Sequence, residues 1–258
     1  MGGIMGTSTS SKGPNGKTPL VPSWANEGGG AISCGIDNTL GEFRGYLGKA
    51  ANKPSGPSGT NLRKAIGHYA KNATGGKKVA PKRYQKLIAA GGGLFDLFQN
   101  IQAGKDHLNL KIADLNGQPI DIVIDQIIEN LLVVDGDSER IRASLNQSLA
   151  ECLDGMDDFD FTQISSDMII DLMLNYTEQY LFQQIILDSR AAFDKADTPE
   201  NIASLEQDLH SLIKSSVDKH MSAQLKNREN TLTRSEIEHI QMKALEDIWG
   251  EWEDYLND

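Results

Sequence analysis

The chain has 258 residues and a formal net charge of −11. A chain of this length can form one or two domains with a sizeable buried core. It contains no run of eighteen apolar residues and no signal-peptide pattern, which predicts a soluble, cytoplasmic protein with no membrane partner.

The charge is divided along the chain. Residues 1–111 carry 15 Lys and Arg against 5 Asp and Glu, whereas residues 112–258 carry 10 against 31. Glycine divides in the same way, with 21 residues before position 112 and 4 after it. We therefore predict a basic and an acidic region with different partners. The chain is expected to be a mainly α protein in three parts. They are a disordered Gly/Ser/Pro-rich N-terminal tail at 1–33, a basic, Gly-rich region of short helices at 34–112, and an acidic α-helical bundle at 113–258.

The segment from Met5 to Trp24 combines glycines, prolines and small polar residues with few large apolar side chains. Such a segment cannot bury enough apolar surface to offset the entropy lost on ordering it. A tail that ends in an apolar peptide is typical of a segment that binds to an enzyme or to a receptor groove. A tolerated disordered terminus would have the same composition.

The start of the tail offers two candidate N-termini. Met1 and Met5 are both plausible starts, and a glycine follows each. Removal of the initiator methionine would therefore expose the amine of Gly2 or of Gly6.

No cofactor, metal site or catalytic residue is predicted. Cys34 and Cys152 lie far apart, and the five histidines form no H-x-x-x-H or H-E-x-x-H spacing, so a metal-binding pattern is lacking. Gly16-Lys17-Thr18 matches the end of a phosphate-binding loop, but Ser11 stands where the first glycine of that loop belongs. Since no nucleophile–base pair is recognisable either, the sequence favours a protein that is not an enzyme.

The basic region is predicted to contain three helices. The spacing of apolar residues places them at 38–51, at 60–73 and from 81 towards 102. Thr60 is a candidate N-cap, and Thr74-Gly75-Gly76 should end the second helix. The three glycines at 91–93 predict either a break in the third helix or a face that another backbone approaches closely. The same close-approach explanation is extended to Gly41, Gly45 and Gly48.

Five basic residues surround the loop before the third helix. This basic cluster consists of Lys77, Lys78, Lys82, Arg83 and Lys86. Contact with nucleic acid or phosphate is one interpretation. A solvated face or docking on an acidic protein is another, because Tyr69 and Tyr84 alone do not make a base-stacking platform.

The acidic region is predicted to be a bundle of longer helices. Residues 120–132 are apolar on most faces, which favours a buried helix over the alternative of a strand followed by a helix. Further helices should span 138–153 and 166–193. The apolar stripe of the last of these consists of Ile169, Leu172, Met173, Tyr176, Tyr180 and Leu187. Thr198 before Pro199 predicts one further helix start, and Thr233 with Glu236 forms a capping box at another.

The final helix carries an apolar stripe that includes Trp249 and Trp252. The simplest interpretation places both side chains in the core of the bundle. An alternative is that the two tryptophans anchor a partner protein.

Several short motifs resemble the QatB family. They are Met5-Gly6-Thr7-Ser8, Pro19 to Trp24, Leu40 to Arg44 and Ala65 to Tyr69. The order of a small-residue front and an acidic helical back is similar as well. The resemblance covers roughly the first seventy residues through Gly/Pro motifs of moderate specificity, and this chain differs in having four residues before Met5.

The resemblance implies a non-enzymatic component of the Qat (QatABCD) anti-phage defence system. The implied partners are a QueC-like enzyme (QatC), a KAP-like P-loop ATPase (QatA) and a TatD-like nuclease (QatD). QueC-like enzymes use ATP to activate the carboxylate of a deazaguanine and join it to an amine. A peptide α-amine has a pKa of about 7.7–8.0, so part of it is neutral and nucleophilic near pH 7.

We therefore expect Gly6, once exposed, to be the acceptor of this modification. Leu20, Val21, Pro22 and Trp24 are expected to dock the enzyme, and the helical body to hold the partners together. Other functions stay open at this point. They are a nucleic-acid-binding adaptor that uses the basic cluster, a phage sensor that uses the acidic half, and a catalytic subunit.

Overall fold

The structure, a computed structural model, describes residues 40–132, 138–226 and 232–257. Over these ranges the chain is built from helices and contains no β-strand, only two isolated bridges. The prediction of a mainly α protein is thereby confirmed. The tail predicted at 1–33 lies outside the described residues. The helices of the described ranges are α1 Leu40–Asn52, α2 Thr60–His68, α3 Ala80–Arg83, α4 Gln85–Gln102, α5 Ile112–Leu115, α6 Ile120–Leu131, α7 Ser138–Cys152, α8 Ser166–Ser189, α9 Pro199–Val217, α10 Ala223–Leu225 and α11 Arg234–Asp254.

α1 and α2 pack against each other through the apolar faces that the sequence predicts. Phe43 of α1 and Leu62 and Ile66 of α2 are buried. The predicted cap at Thr60 is wrong. Gly59, in extended backbone, is the N-cap residue of α2, and no side chain caps the helix.

The end of α2 has a clear physical cause. The helix continues from Tyr69 to Ala73 as a π-helical turn. The hydroxyl of Thr74 then donates to the carbonyl oxygens of Tyr69 and Ala70, at 3.1 and 2.9 Å. Gly75 and Gly76 follow with φ angles of +89° and +83°, a region of backbone space that favours glycine. The predicted break at this point is confirmed.

The third predicted helix is divided into α3 and α4. Pro81 lies in the first turn of α3, where its missing N–H is no loss. Tyr84, with φ −97° and ψ 18°, separates the two helices. α4 then continues through Gly91, Gly92 and Gly93 without a break.

Two of these glycines let α11 approach α4 closely. A Cβ atom added at Gly91 would overlap the side-chain amide of Gln241, and one at Gly92 would lie 2.6 Å from Cγ of Glu238. The close-approach explanation is therefore correct in part, because the glycines mark a close contact but the atoms that approach them are side chains of α11 rather than another backbone. It is wrong at Gly45, where nothing lies within 4 Å of an added Cβ, and at Gly48 such an atom would meet the flexible side chain of Lys195.

α6 is amphipathic, and the prediction that most of its faces are buried is wrong. Val123, Ile124, Ile127 and Ile128 are buried, whereas Ile122 is 42% exposed. α6 contacts α7 and α4 on one side only, so its opposite side faces solvent.

α8 is the central helix. Residues 176–181 are all buried, which means that other elements surround the middle of this helix. The predicted stripe is buried except for Leu187, which is 56% exposed. The α-helix ends at Ser189 and a 3-10 turn, Arg190–Lys195, follows it.

The starts of α9 and α11 are as predicted. The side chain of Thr198 accepts a hydrogen bond from the backbone of Asn201. Thr233 and Glu236 form a complete capping box at the start of α11. Both helix starts are determined by capping hydrogen bonds within the first turn, which explains why sequence alone identifies them.

One hydrophobic core joins the basic and acidic regions. It contains Phe43 and Phe95 from the basic region together with Tyr176 and Trp249 from the acidic region. The change of charge near residue 112 is therefore not a packing boundary. Whether the two regions have different partners stays a prediction.

α4 and α8 run in opposite directions through this core. Gln102 at the end of α4 donates from Nε2 to the carbonyl oxygen of Ile164 and to Oγ of Ser166 at the start of α8. Tyr176, further along α8, donates to the carbonyl oxygen of Leu87 near the start of α4. The start of α4 and the end of α8 thus lie towards α1–α3, and their opposite ends lie towards α5, α6 and the segment 154–165.

No helix in the described ranges is both long enough and apolar enough to cross a membrane.

Candidate functional site

The basic cluster lies around the start of α4. Its five side chains, on the turn before α3, on α3 and at the beginning of α4, are all exposed. Ala80, Pro81 and Tyr84 between them are buried. Apolar residues thus hold this segment on the core, and the cations face solvent.

Carboxylates of α11 border one side of the basic cluster. Lys77 and Lys78 line a shallow groove together with Lys243, Glu246, Asp247 and Gly250. Nζ of Lys243 lies 2.9 Å from Oδ1 of Asp247, and the backbone N–H of Lys77 donates to the carboxylate of Glu253. A surface of mixed charge suits a protein partner better than a nucleic acid, because the carboxylates repel phosphates.

A second groove on α11 contains a hydrogen-bond network centred on Glu251. Its carboxylate, 19% exposed, lies 2.9 Å from Nζ of Lys219 and 2.7 Å from Nε2 of His220. The hydroxyl of Tyr255 donates to it at 2.7 Å. Because Lys219 and His220 belong to the π-helical turn that follows α9, this carboxylate ties α9 to α11.

The environment of Glu251 sets its protonation state. Burial acts to raise the pKa of this carboxyl group, but the hydrogen bonds from Lys219, Tyr255 and His220 outweigh it and lower the pKa to about 2. A carboxylate with so low a pKa is a weak base near pH 7. Its geometry serves to hold helices together rather than to accept a proton from a substrate.

Glu178, in the buried middle of α8, has the opposite environment. Its side chain is 4% exposed, and Nε2 of His210 lies 3.0 Å from Oε1. The angles there do not make a hydrogen bond, and Oε1 has no hydrogen-bond partner among the described residues. Burial raises the pKa of Glu178 to about 7, with Lys214 opposing the shift and Asp218 adding to it. Burial also lowers the pKa of His210.

Neither of these two glutamates is found by reasoning from the sequence. Glu251 lies on the polar side of a predicted helix, and nothing local indicates that Lys219 and His220 approach it. Glu178 follows Tyr176 by two residues, and only the burial of every face of α8 shows that it is inside.

The two tryptophans of α11 belong to the core. Trp249 and Trp252 are fully buried, and their rings lie 5.0 Å apart. Nε1 of Trp249 donates to the hydroxyl of Thr74 at 2.7 Å, and Nε1 of Trp252 donates to that of Ser216 at 2.9 Å. The core interpretation is therefore confirmed. The alternative, an anchor for a partner, does not fit because neither of these two indoles has exposed surface.

The other predicted site residues belong to the N-terminal segment. Gly6 and the docking residues Leu20, Val21, Pro22 and Trp24 lie outside the described residues. Within the described ranges, no group of three or more His, Cys, Asp or Glu is arranged to hold a metal ion. Burial raises the pKa of the free Cys152 thiol to about 11, so this thiol is protonated near pH 7.

Comparison with known proteins identifies the family. The model of the family described as Qat anti-phage system associated protein QatB matches residues 75–251. No curated protein matches the chain, and no solved structure matches it. The matched range begins after the motifs that resemble the family and extends from the turn before α3 into the last turns of α11, so the match rests on the helical body and covers more than half of the chain. The chain therefore belongs to the QatB family and is a component of the Qat anti-phage system.

Proposed function

We propose that the chain is a non-enzymatic component of the Qat system with two roles. Its N-terminal segment is the substrate of the QueC-like partner QatC, and its helical body is a scaffold that holds QatC, the ATPase QatA and the nuclease QatD together. The observation that carries the scaffold role is the way in which α11 is bonded to the rest of the body.

Hydrogen bonds join α11 to the segment that follows α2 and to α9. Trp249 donates to Thr74 at the end of α2, Trp252 donates to Ser216 of α9, and Glu251 accepts from the turn after α9. Hydrogen bonds between these polar side chains hold the helices together. A body fixed in this way keeps the relative positions of its surfaces, which a scaffold requires.

The substrate role follows from the chemistry of the N-terminal segment. Once Gly6 is exposed, its α-amine is unhindered and has a pKa of about 7.7–8.0, whereas a lysine amine has one of about 10.4. Near pH 7 the α-amine therefore has the larger neutral fraction, and it is the better nucleophile towards an activated carboxylate. Leu20, Val21, Pro22 and Trp24 supply the apolar side chains that a docking groove could bind.

Mass spectrometry of the chain tests this role. The chain would be co-expressed with the other three Qat components, and its intact mass and N-terminal peptide would be measured. We expect a defined mass added at Gly6 that is absent when the QueC-like gene is deleted. The lysines of the segment serve as a control, because a Lys12→Arg/Lys17→Arg variant should carry the same added mass. An adduct on either lysine, or an unmodified N-terminus, would contradict the proposal.

A second variant separates docking from scaffolding. Leu20→Ala/Trp24→Ala in the full chain should lower the modified fraction at least tenfold, since docking is weakened. The same variant should still co-purify with the ATPase and the nuclease, because those contacts are assigned to the body. Loss of all three partners together would show that the segment, rather than the body, is the scaffold.

A further inference from the structure

Two stretches of the chain differ in charge. Residues 44–86 contain eleven Lys and Arg and no Asp or Glu, whereas residues 112–189 contain two Lys and Arg and sixteen Asp and Glu. The first range includes the basic cluster. In the second range a set of exposed carboxylates, which we call the acidic face, consists of Asp114, Asp121, Asp125, Asp157 and Asp158.

Backbone pairing brings the members of the acidic face together. Pro119, just before α6, forms a bridge with Asp158. The backbone N–H of Gly117 donates to the carbonyl oxygen of Phe159 at 2.8 Å. The end of α5 and the start of α6 therefore lie beside the segment 157–160. Ile122, 42% exposed, adds an apolar side chain next to Asp121.

The basic cluster and the acidic face lie at opposite ends of α4. The cluster is at its start, and Gly104, just after its end, faces Phe161 beside the acidic segment. The 18 residues of α4 span about 27 Å at 1.5 Å per residue. Charges at that separation are screened by physiological salt, for which the Debye length is about 8 Å. The two surfaces thus cannot neutralise each other within one chain.

We propose that the basic cluster of one copy docks on the acidic face of a second copy. The acidic face alone names no ligand, but the chain itself carries the complementary surface. The contact is head-to-tail, so the pair keeps one unoccupied basic cluster and one unoccupied acidic face, and further copies can add. This inference is independent of the modification of Gly6.

Sedimentation velocity of the full chain tests the contact. At about 0.03 M NaCl the Debye length is long enough for the surfaces to attract, and at about 0.5 M it is not. We expect a weight-average mass at least twice that of one chain at the lower salt concentration, and the mass of one chain at the higher one.

Charge reversal identifies the surfaces. Lys82→Glu/Arg83→Glu removes most of the positive charge of the basic cluster, and Asp125→Lys/Asp157→Lys removes most of the negative charge of the acidic face. Each variant alone should sediment as one chain at low salt, and an equimolar mixture of the two should associate again. Lys53→Glu/Lys226→Glu, with the same change of charge at exposed positions outside the basic cluster, should associate like the unchanged chain.

Three results would overturn the proposal. One is an unchanged chain that sediments as a single copy at low salt. Another is an equimolar mixture in which the two charge-reversal variants do not associate, although circular dichroism shows both to be folded. The third is an unchanged chain that stays single but binds a DNA duplex through Lys82 and Arg83, which would assign the basic cluster to nucleic acid.

Discussion

Two glutamates in neighbouring parts of the bundle have pKa values that are shifted in opposite directions. Glu251, at the junction of α9 and α11, is close to four donors, on Ser216, Lys219, His220 and Tyr255, and its pKa falls to about 2. Glu178, at the junction of α8 and α9, has an oxygen without a hydrogen-bond partner among the described residues, and its pKa rises to about 7. Both are mostly buried, so burial alone does not decide the state of a carboxylate here. The number of donors decides it.

The difference distinguishes a helix junction that an ionised glutamate stabilises, at Glu251, from one that an ionised glutamate destabilises, at Glu178. Glu251 stabilises the fold while it is ionised, whereas Glu178 destabilises it when it is ionised. The two therefore give opposite dependences of stability on pH. Because the proposed scaffold role depends on α11, we expect that role to be sensitive to mutation at the Glu251 junction.

The largest effect is expected for Glu251→Gln. The change removes a charge that accepts from Lys219, His220 and Tyr255, and should cost about 2 kcal/mol of unfolding free energy at pH 7. Urea denaturation would measure it. The folded pKa lies below the unfolded one, so the loss should shrink as pH falls from about 4.5 towards 2. Glu246→Gln, at an exposed position of the same helix, is the control and should cost less than about 0.5 kcal/mol. Equal losses for both variants would contradict the central place of Glu251.

Glu178→Gln should have the opposite sign. The folded pKa is raised, so the unfolded chain releases its proton first as pH rises, and the native chain loses stability between about pH 4.5 and 7. The neutral amide avoids this penalty. We expect a gain of about 1–2 kcal/mol at pH 8 and no gain at pH 4. Thermal unfolding at both pH values would measure it, and a variant that is less stable than the unchanged chain at pH 8 would show that the ionised carboxylate is stabilised after all.

Thr233→Ala tests the other end of α11. It removes the side chain that caps the first turn and should cost about 1 kcal/mol. Thr60→Ala is a matched control, because Thr60 lies at a helix start without capping it. Denaturant midpoints for the two variants should differ. If Thr60→Ala costs as much as Thr233→Ala, the assignment of the caps is wrong.

The smallest effect is expected for Lys219→Met. The Lys219 side chain is 62% exposed, so its ion pair with Glu251 should contribute about 0.5 kcal/mol or less, and less still at high salt. Urea denaturation at low and high salt would measure this contribution. A loss as large as that of Glu251→Gln would mean that the lysine, rather than the network as a whole, holds the junction.

Local features of this chain could be predicted from its sequence, and long-range ones could not. The capping box at Thr233, the cap at Thr198 and the break at Gly75 depend on residues within one turn, so the sequence contains the whole cause. The exposure of Leu187 and the burial of Glu178 depend on which helices surround α8. The donors around Glu251 are more than 30 residues away in sequence for Lys219 and His220.

The charge division illustrates the same limit. The sequence predicts a basic and an acidic region. The structure places the basic cluster and the acidic face at opposite ends of α4, whereas carboxylates of α11, also from the acidic region, border the basic cluster. Periodicity does not indicate that both regions share one core, because the contact between α4 and α11 depends on the fit of Gln241 and Glu238 against Gly91 and Gly92.

The measurement that tests the central claim most directly is phage protection by a complete Qat system in which only Gly6 is changed. Gly6→Pro replaces the primary amine by a hindered secondary amine, and Gly6→Ala keeps a primary amine. If the modified N-terminus is what the body displays, Gly6→Pro should abolish protection as fully as deletion of the QueC-like gene, and Gly6→Ala should retain it. Full protection by Gly6→Pro would contradict the account.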